Sequence, residues 1–80
     1  MELIKPHLEN ILEHFRAEYP REGCGLIGIQ KGKSKWFSCK NVAENDEDFI
    51  MDSTDYIKAS RVSDIVAVVH SHPDASPEPS

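Results

Sequence analysis

The chain has 80 residues, of which 39% are hydrophobic and 29% charged, a composition typical of one small globular domain. Nine Lys and Arg residues stand against fourteen Asp and Glu, so the net charge is −5. Nucleic acids and anionic membranes bind basic surfaces, so this balance argues against both as the main partner. No apolar run approaches the ~20 residues of a membrane span, and the N-terminus lacks the features of a secretory signal. We therefore expect a single domain over residues 1–80, located in the cytoplasm.

Cys24 and Cys39 are the two cysteines of the sequence. Two are too few for a disulfide scaffold, and in a reducing compartment we expect free thiols, with one bridge across a hairpin as the alternative. Cys24 also suggests a thiol nucleophile with His70 or His72 as its base. Activated cysteines usually lie at a helix N-terminus, whereas Cys24 enters a predicted strand, so the sequence favours a core cysteine.

An amphipathic helix is predicted at the start of the chain. Apolar residues recur at helical spacing from Ile4 to Tyr19, which corresponds to about four turns. Pro6 suits the first turn, and Pro20 follows the end of the helix. His7 and His14 lie on its polar side, where we expect solvated histidines rather than metal ligands.

The following segment predicts a β-hairpin. One strand is expected from about Gly25 to Gln30, and a second from about Lys35 to Val42. Lys31-Gly32-Lys33 forms the turn between them. The lysines in and after this turn indicate a solvated edge of the sheet.

The next segment adds a helix between two strands. Phe49 to Asp52 predict a short strand, and Ser53 or Thr54 is a suitable N-cap for a helix from about Asp55 to Val62. Asp64 to His70 is a near-continuous apolar run, typical of a strand buried on both faces. The fold class predicted from this order of elements is α+β, or mixed α/β.

The main functional signal is His70-Ser71-His72-Pro73, directly after the apolar run. Because side chains alternate along a strand, His70 and His72 point to the same side and can reach one metal ion. Two imidazoles and one oxygen ligand leave the fourth position of a tetrahedral zinc open to water, as in catalytic sites. We therefore interpret His70 and His72 as zinc ligands, and a structural histidine pair is the alternative.

Glu22 is the candidate proton carrier for this site. It lies between the first predicted helix and the first strand, where the end of that strand could face the metal. A zinc-bound water needs a nearby carboxylate that takes its proton and returns it to the leaving amine. Without the histidines, a surface glutamate would be the simpler interpretation.

Two motifs together resemble the JAMM (MPN-plus) metallopeptidase family. They are Arg-Glu-x-Cys-Gly-Leu-Ile after an amphipathic helix and His-Ser-His-Pro after a buried strand. In the family pattern seven residues separate the second histidine from a serine, and counting from His72 through Pro73 to Pro79 places Ser80 on that serine. The Pro-Arg-Glu-x-Cys-Gly opening is most similar to the bacterial and phage branch, which includes N-terminal domains of phage tail assembly proteins.

The resemblance implies a zinc-dependent peptidase or isopeptidase that acts on a peptide or isopeptide substrate. Glu22 would be the general acid/base, His70 and His72 the zinc ligands, and Ser80 a hydrogen-bond donor that stabilises the tetrahedral intermediate. The implied fold is a curved β-sheet with a helix packed on each side, a cytidine-deaminase-like JAMM domain. Phage tail or assembly proteins, or cell-wall peptide cross-links, are the implied partners, and the implied location is the host cytoplasm.

The family's Asp ligand would fall three residues after Ser80, beyond the last residue of the sequence. We therefore expect a domain that is incomplete at its C-terminus and has little or no turnover by itself. The Pro- and Ser-rich segment from Pro73 to Ser80 predicts a loop or disorder, and Asp74 or Glu78 within it are poor substitutes for the Asp. The alternatives are a non-catalytic interaction or assembly module and a small metal-binding protein without hydrolase activity.

Overall fold

The computed structural model describes residues 3–44 and 49–72. A three-stranded antiparallel sheet with the strand order β2-β1-β3 forms its centre, and two α-helices pack against the sheet. In chain order the elements are α1 (Leu8–Glu18), β1 (Cys24–Gln30), β2 (Lys33–Cys39), α2 (Ser53–Val62) and β3 (Asp64–His70). This arrangement confirms the α+β prediction. Neither of these helices is long and apolar enough to cross a membrane.

Helix α1 lies where the hydrophobic spacing predicts it, but it is shorter than four turns. A 3-10 turn, Lys5–His7, contains the proline, and 11 residues of α-helix follow. Tyr19 leaves the helical region with a ψ of 136°, because a residue before proline is restricted to extended conformations. Ile11 is buried, and Phe15 meets Trp36 of β2 edge-to-face at 6.5 Å between ring centroids. Through these contacts α1 covers the sheet near β2.

The two histidines of this helical region contact β2, so the prediction that they are solvated is wrong. His7 Nε2 lies 2.9 Å from Ser34 Oγ, and His14 Nε2 lies 3.3 Å from the carbonyl oxygen of Cys39. Both side chains are partly buried, because polar groups of β2 lie within reach and satisfy the imidazoles there. Among the described residues neither histidine belongs to a group of potential metal ligands.

The β1–β2 hairpin is confirmed, with a tighter turn than the sequence indicates. The strands pair without interruption from Cys24↔Cys39 to Gln30↔Lys33. Lys31 and Gly32 form the turn with φ of 53° and 79°, the left-handed pair of conformations found in two-residue hairpin turns. Strand β2 therefore begins two residues before the predicted start and ends at Cys39. It lies at an edge of the sheet.

The segment between the hairpin and β3 differs from prediction in two details. In place of a strand over residues 49–52, the described part shows one isolated bridge, between Asn41 and Met51. Helix α2 is capped by Asp52, whose side chain accepts a hydrogen bond from the Thr54 N–H at 3.2 Å. The N-cap is therefore one residue before Ser53, because the Asp52 carboxylate reaches the free N–H groups of the first turn.

Strand β3 is not buried on both faces, which corrects the prediction for residues 64–70. In the described part of the chain it pairs antiparallel with β1 alone, and Val66 and Val68 are about half exposed. Its ladder shifts register between Ile27 and Gly28 of β1. The apolar run is rich in β-branched residues, which are typical of strands, but it does not indicate how many other strands pair with this one. β3 is consequently an edge strand with a bulge.

One cluster of buried residues lies on the face of the sheet that α2 covers, while Ile27 of β1 and Ile11 of α1 are buried outside this cluster. Its fully buried members are Cys24 and Leu26 of β1, Cys39 of β2 and Ala59 of α2. Partly buried side chains complete this cluster: Phe37, Phe49, Met51 and Ile65. β1 supplies more of the buried hydrophobic residues than any other element, because it is the central strand, with a pairing partner on each side.

Candidate metal centre

The antiparallel pairing of β1 and β3 brings the predicted site residues together. Cys24, the first residue of β1, pairs with His70, the last residue of β3. Glu22 lies two residues before Cys24 and His72 lies two residues after His70. Since the chains run in opposite directions, both extensions leave the same end of the sheet. The loop that carries Glu22 therefore faces the histidines, as the sequence interpretation requires.

Three potential ligand atoms meet at this end of the sheet. His70 Nδ1 lies 3.5 Å from Glu22 Oε1, and His72 Nδ1 lies 3.8 Å from Glu22 Oε2. One ligand atom from each residue lies within 4.8 Å of the others. The exposed fraction of the side chains rises from 8% for Glu22 to 30% for His70 and 62% for His72. The carboxylate thus forms the floor of the site, and His72 lies at its opening to solvent.

The His70 Nδ1 atom is buried and has no hydrogen-bond partner among the described residues. Its distance of 3.5 Å to Glu22 is within ion-pair range but longer than an N–H···O hydrogen bond, which measures about 2.7–3.2 Å. A buried polar atom without a partner costs about 1–3 kcal/mol. A cation held between the carboxylate and the two imidazoles would remove this cost.

These residues fit a zinc ion by ligand chemistry and by spacing. Zinc binds imidazole nitrogen and carboxylate oxygen at about 2.0–2.2 Å in tetrahedral geometry, so two of its ligand atoms lie ~3.4 Å apart. One ligand atom of each histidine lies within 4.8 Å of the other, and the Glu22 carboxylate oxygens lie 3.5 and 3.8 Å from the two Nδ1 atoms. The arrangement can hold a metal ion with one nitrogen from each histidine and a carboxylate beside them.

Phe49 orients one of the histidines. Its ring stacks on His70 with 4.3 Å between centroids and 27° between planes, and the His70 and His72 rings meet edge-on at 4.4 Å. Phe49 also packs against the core. The His70 ring is therefore held between the core and the second histidine, which limits its rotation.

The loop around Glu22 is tied to two other segments by hydrogen bonds that sequence reasoning missed. The Gly23 N–H donates to Ser71 Oγ at 2.9 Å, and the Ser71 N–H donates to the Gly23 carbonyl at 3.0 Å. The Asn41 side-chain amide donates to the Glu22 carbonyl at 2.8 Å. For Ser71, its position between the two histidines was a usable signal. For Asn41, which lies 19 residues from Glu22, no local pattern was available.

Cys24 is a core residue, as the sequence favours, and not a nucleophile. Its side chain is fully buried, and burial raises the pKa of its thiol to about 11, with a smaller contribution from the charge of Glu18. Burial likewise raises the pKa of Cys39 to about 12. Both cysteines are free thiols. Ser80, the predicted hydrogen-bond donor, lies outside the described residues.

The fold and the site define a small α+β domain whose sheet ends at a candidate centre of two histidines and one carboxylate. The family model Prok-JAB, prokaryotic homologs of the JAB domain, matches residues 5–80. The chain therefore belongs to the prokaryotic JAB-domain family, which confirms the resemblance found in the two sequence motifs.

One curated relative is Tail tip assembly protein K of Escherichia phage N15. The two sequences are 42% identical over 74 residues, which cover 91% of this chain and 30% of the relative. The chain thus spans less than a third of the length of the curated relative. No solved structure matches the chain.

Proposed function

We propose that residues 1–80 form a single JAB-family domain of zinc-dependent metallopeptidase or isopeptidase type, which hydrolyses an amide bond. One observation supports this proposal above all: the buried Glu22 carboxylate lies within 3.5 and 3.8 Å of the Nδ1 atoms of His70 and His72. A buried acid beside two metal-binding imidazoles at the rim of a sheet is the arrangement that metal-assisted hydrolysis needs.

Each residue of the site has a proposed role. His70 and His72 hold the ion through one ring nitrogen each. When bound, zinc would supply Lewis-acid polarisation of the substrate carbonyl and lower the pKa of a water molecule. Glu22 accepts the proton of the attacking water and returns it to the nitrogen of the leaving amine, since a general acid/base must lie within hydrogen-bond reach of both. Ser80 donates a hydrogen bond to the oxygen that becomes negatively charged.

The burial of Glu22 fits this proton-carrying role. Its carboxylate lies at the floor of the site, while His72 is open to solvent, so a substrate would approach from the His72 side. In this buried position the carboxylate would contact the attacking water molecule and few other solvent molecules. Two histidines without a further protein ligand hold zinc weakly and orient the water poorly. We therefore expect little or no turnover from the 80 residues alone.

The biological context comes from the relative. Because that protein is named as a tail tip assembly protein, we propose that this domain acts in phage tail assembly, in the host cytoplasm, with other tail proteins or cell-wall peptides as partners. A non-catalytic JAB-fold assembly module is the second candidate, and the assembly function in the relative's name favours it.

Zinc titration by calorimetry tests the metal site. We expect one zinc ion per chain and loss of binding in the His70→Ala/His72→Ala variant. The His7→Ala/His14→Ala variant is the matched control, since it also removes two partly buried imidazoles but from the α1–β2 contact. Equal zinc affinity in the His70/His72 variant and the wild type would contradict the proposal.

Peptide hydrolysis separates the enzyme from the assembly module. The assay needs a longer version that includes the Asp expected three residues after Ser80. We expect Glu22→Gln to abolish hydrolysis while the protein still binds one zinc ion. An inactive wild type that binds zinc would favour the assembly module.

A further inference from the structure

We infer that Ser71, together with Asn41, is a positioning residue that fixes the direction of the Glu22 carboxylate toward the two histidines. The inference rests on the proposed function, because it concerns the same site. It adds two residues that touch neither the metal nor the substrate and that act through the backbone of Glu22.

The contacts converge on one peptide group. The carbonyl of Glu22 and the N–H of Gly23 belong to the same planar peptide unit. Asn41 Nδ2 donates to that carbonyl at 2.8 Å, and that N–H donates to Ser71 Oγ at 2.9 Å. Because both polar ends of the plane are held by side chains, rotation of the plane is restrained, and with it the position of the Glu22 Cα atom from which the carboxylate side chain extends.

Ser71 also connects the two halves of the site. It lies between His70 and His72, and its N–H donates to the Gly23 carbonyl at 3.0 Å. The segment that carries the histidines and the segment that carries the carboxylate are thus joined by two hydrogen bonds, just beyond the last ladder pair, Cys24↔His70. One of these bonds needs a side-chain acceptor at position 71, which serine or threonine supplies.

Helix α1 contacts the same segment at Gly23. A Cβ atom on Gly23 would lie 2.5 Å from Cδ1 and 3.3 Å from Cα of Phe15. The backbone of Gly23 therefore packs closely against Phe15 of α1, and its N–H also donates a hydrogen bond to Ser71.

Asn41 anchors this arrangement to the rest of the domain. The residue is buried, and its Oδ1 accepts hydrogen bonds from the N–H groups of Ala43 and Ile50, both at 3.0 Å. Its backbone carbonyl accepts a hydrogen bond from the Arg21 guanidinium at 2.7 Å. Substitution of Asn41 would disturb several segments at once, so Ser71 is the better residue for a test.

The test is a double-mutant cycle on zinc affinity, measured by calorimetry with zinc alone. We expect Ser71→Ala to lower the zinc affinity about tenfold, a typical effect of removing a group that orients a metal ligand or its neighbour. Ser71→Thr should restore the affinity, because it keeps the hydroxyl. In a Glu22→Gln background the additional effect of Ser71→Ala should shrink to within about twofold, because Ser71 acts through the carboxylate.

A second readout uses the metal-free protein. Hydrogen exchange of the Gly23 amide should become faster in Ser71→Ala and return to the wild-type rate in Ser71→Thr. Ser34→Ala is the matched control: it removes a partly buried hydroxyl that joins two segments, at the His7 contact, and should change neither the Gly23 exchange rate nor the zinc affinity. If thermal unfolding shows that Ser71→Ala does not fold, the comparison of Ser71→Thr with Ser71→Val decides, since these differ only in the hydroxyl.

The outcomes separate this inference from the proposed function. Wild-type protein that binds no zinc would contradict the proposed function, and this inference with it. Wild-type protein that binds zinc no more tightly than Ser71→Ala would overturn the positioning role alone. The positioning role would also be overturned if Ser71→Ala lowered the zinc affinity equally in the wild type and in the Glu22→Gln variant. Ser71 would then act on the histidines and not through the carboxylate.

Discussion

The two neighbours of β1 differ in how they are connected and in how they are paired. Strand β2 follows β1 through a two-residue turn and pairs with it along seven consecutive positions. Its exposed edge carries Lys33 and Lys35, and charged side chains of this kind prevent unwanted strand pairing. In this half of the sheet the paired strands are adjacent in the sequence and their ladder is regular.

Strand β3 reaches β1 only after the hairpin and α2, and its ladder is interrupted. Val66 has no ladder partner in β1 where the register shifts, and Val66 and Val68 leave apolar surface about half exposed. Lysines do not protect this strand, and it ends at His70. This half of the sheet is non-local and irregular, and it carries the candidate metal ligands.

The bulge in β3 determines the face on which His70 lies. Directly paired residues of an antiparallel ladder share a face, so His70 lies on the core face with its partner Cys24. Ile65 packs against the same core. Regular alternation would place positions 65 and 70 on opposite faces, and the extra residue, Val66, reverses this relation. The comparison indicates that the candidate ligands lie on the irregular β3 side, where the bulge sets the face on which His70 lies.

The largest expected effect on the free energy of unfolding comes from a substitution in β1, the central strand that pairs with both β2 and β3. Leu26 is fully buried in β1 and pairs with Phe37 on one side and Val68 on the other. Leu26→Ala should lower the free energy of unfolding by about 2–5 kcal/mol, most of the stability of so small a domain. Urea denaturation measures this loss. Leu12→Ala, at an exposed position of α1, is the control, and an equally large loss there would contradict the assignment of the core.

Alkaline pH should lower the free energy of unfolding through the two buried thiols of the hairpin, Cys24 of β1 and Cys39 of β2. The usual thiol pKa of 9.0 is raised to about 11 for Cys24 and about 12 for Cys39 in the folded protein. Between 9.0 and these values the unfolded chain binds fewer protons, so the free energy of unfolding falls as the pH rises. Urea denaturation at about pH 8 and about pH 10.5, on either side of the usual thiol pKa, measures the fall. A Cys24→Ala/Cys39→Ala variant should show a shallower dependence, and an unchanged slope would contradict this account.

A change in the hairpin turn should affect stability without affecting the site. Gly32 has a φ of 79°, and a Cβ there would meet no atom within 4 Å. Gly32→Ala should therefore cost about 1 kcal/mol through backbone strain alone, as measured by urea denaturation. Its zinc affinity should equal that of the wild type. A change in zinc affinity would show that the two halves of the sheet are coupled.

The smallest effect on stability is expected from a change in the site. Glu22→Gln removes a buried charge and gives His70 Nδ1 a neutral amide neighbour. The free energy of unfolding of the metal-free protein should stay the same or rise by up to about 1 kcal/mol, while the zinc affinity falls about tenfold. Thermal unfolding with and without zinc measures both quantities. A marked loss of metal-free stability would mean that Glu22 has a structural role.

The sequence predicts the local features well and the non-local features poorly. Glu22, His70 and His72 are predictable because motif and alternation place them, and the structure brings them together. The half exposure of Val66 and Val68 in β3 is not predictable, because an apolar run does not indicate which neighbours a strand has. Asn41 binds across 19 residues to Glu22, and such a contact depends on the fold as a whole.

The central claim is that Glu22, His70 and His72 form one metal site. A crystal structure of the zinc-loaded protein, with anomalous scattering recorded at the zinc edge, tests it most directly. We expect one zinc ion about 2.0–2.1 Å from a ring nitrogen of both His70 and His72, with the Glu22 carboxylate beside it. Zinc bound at His7 or His14, or absent from the end of β3, would contradict the account.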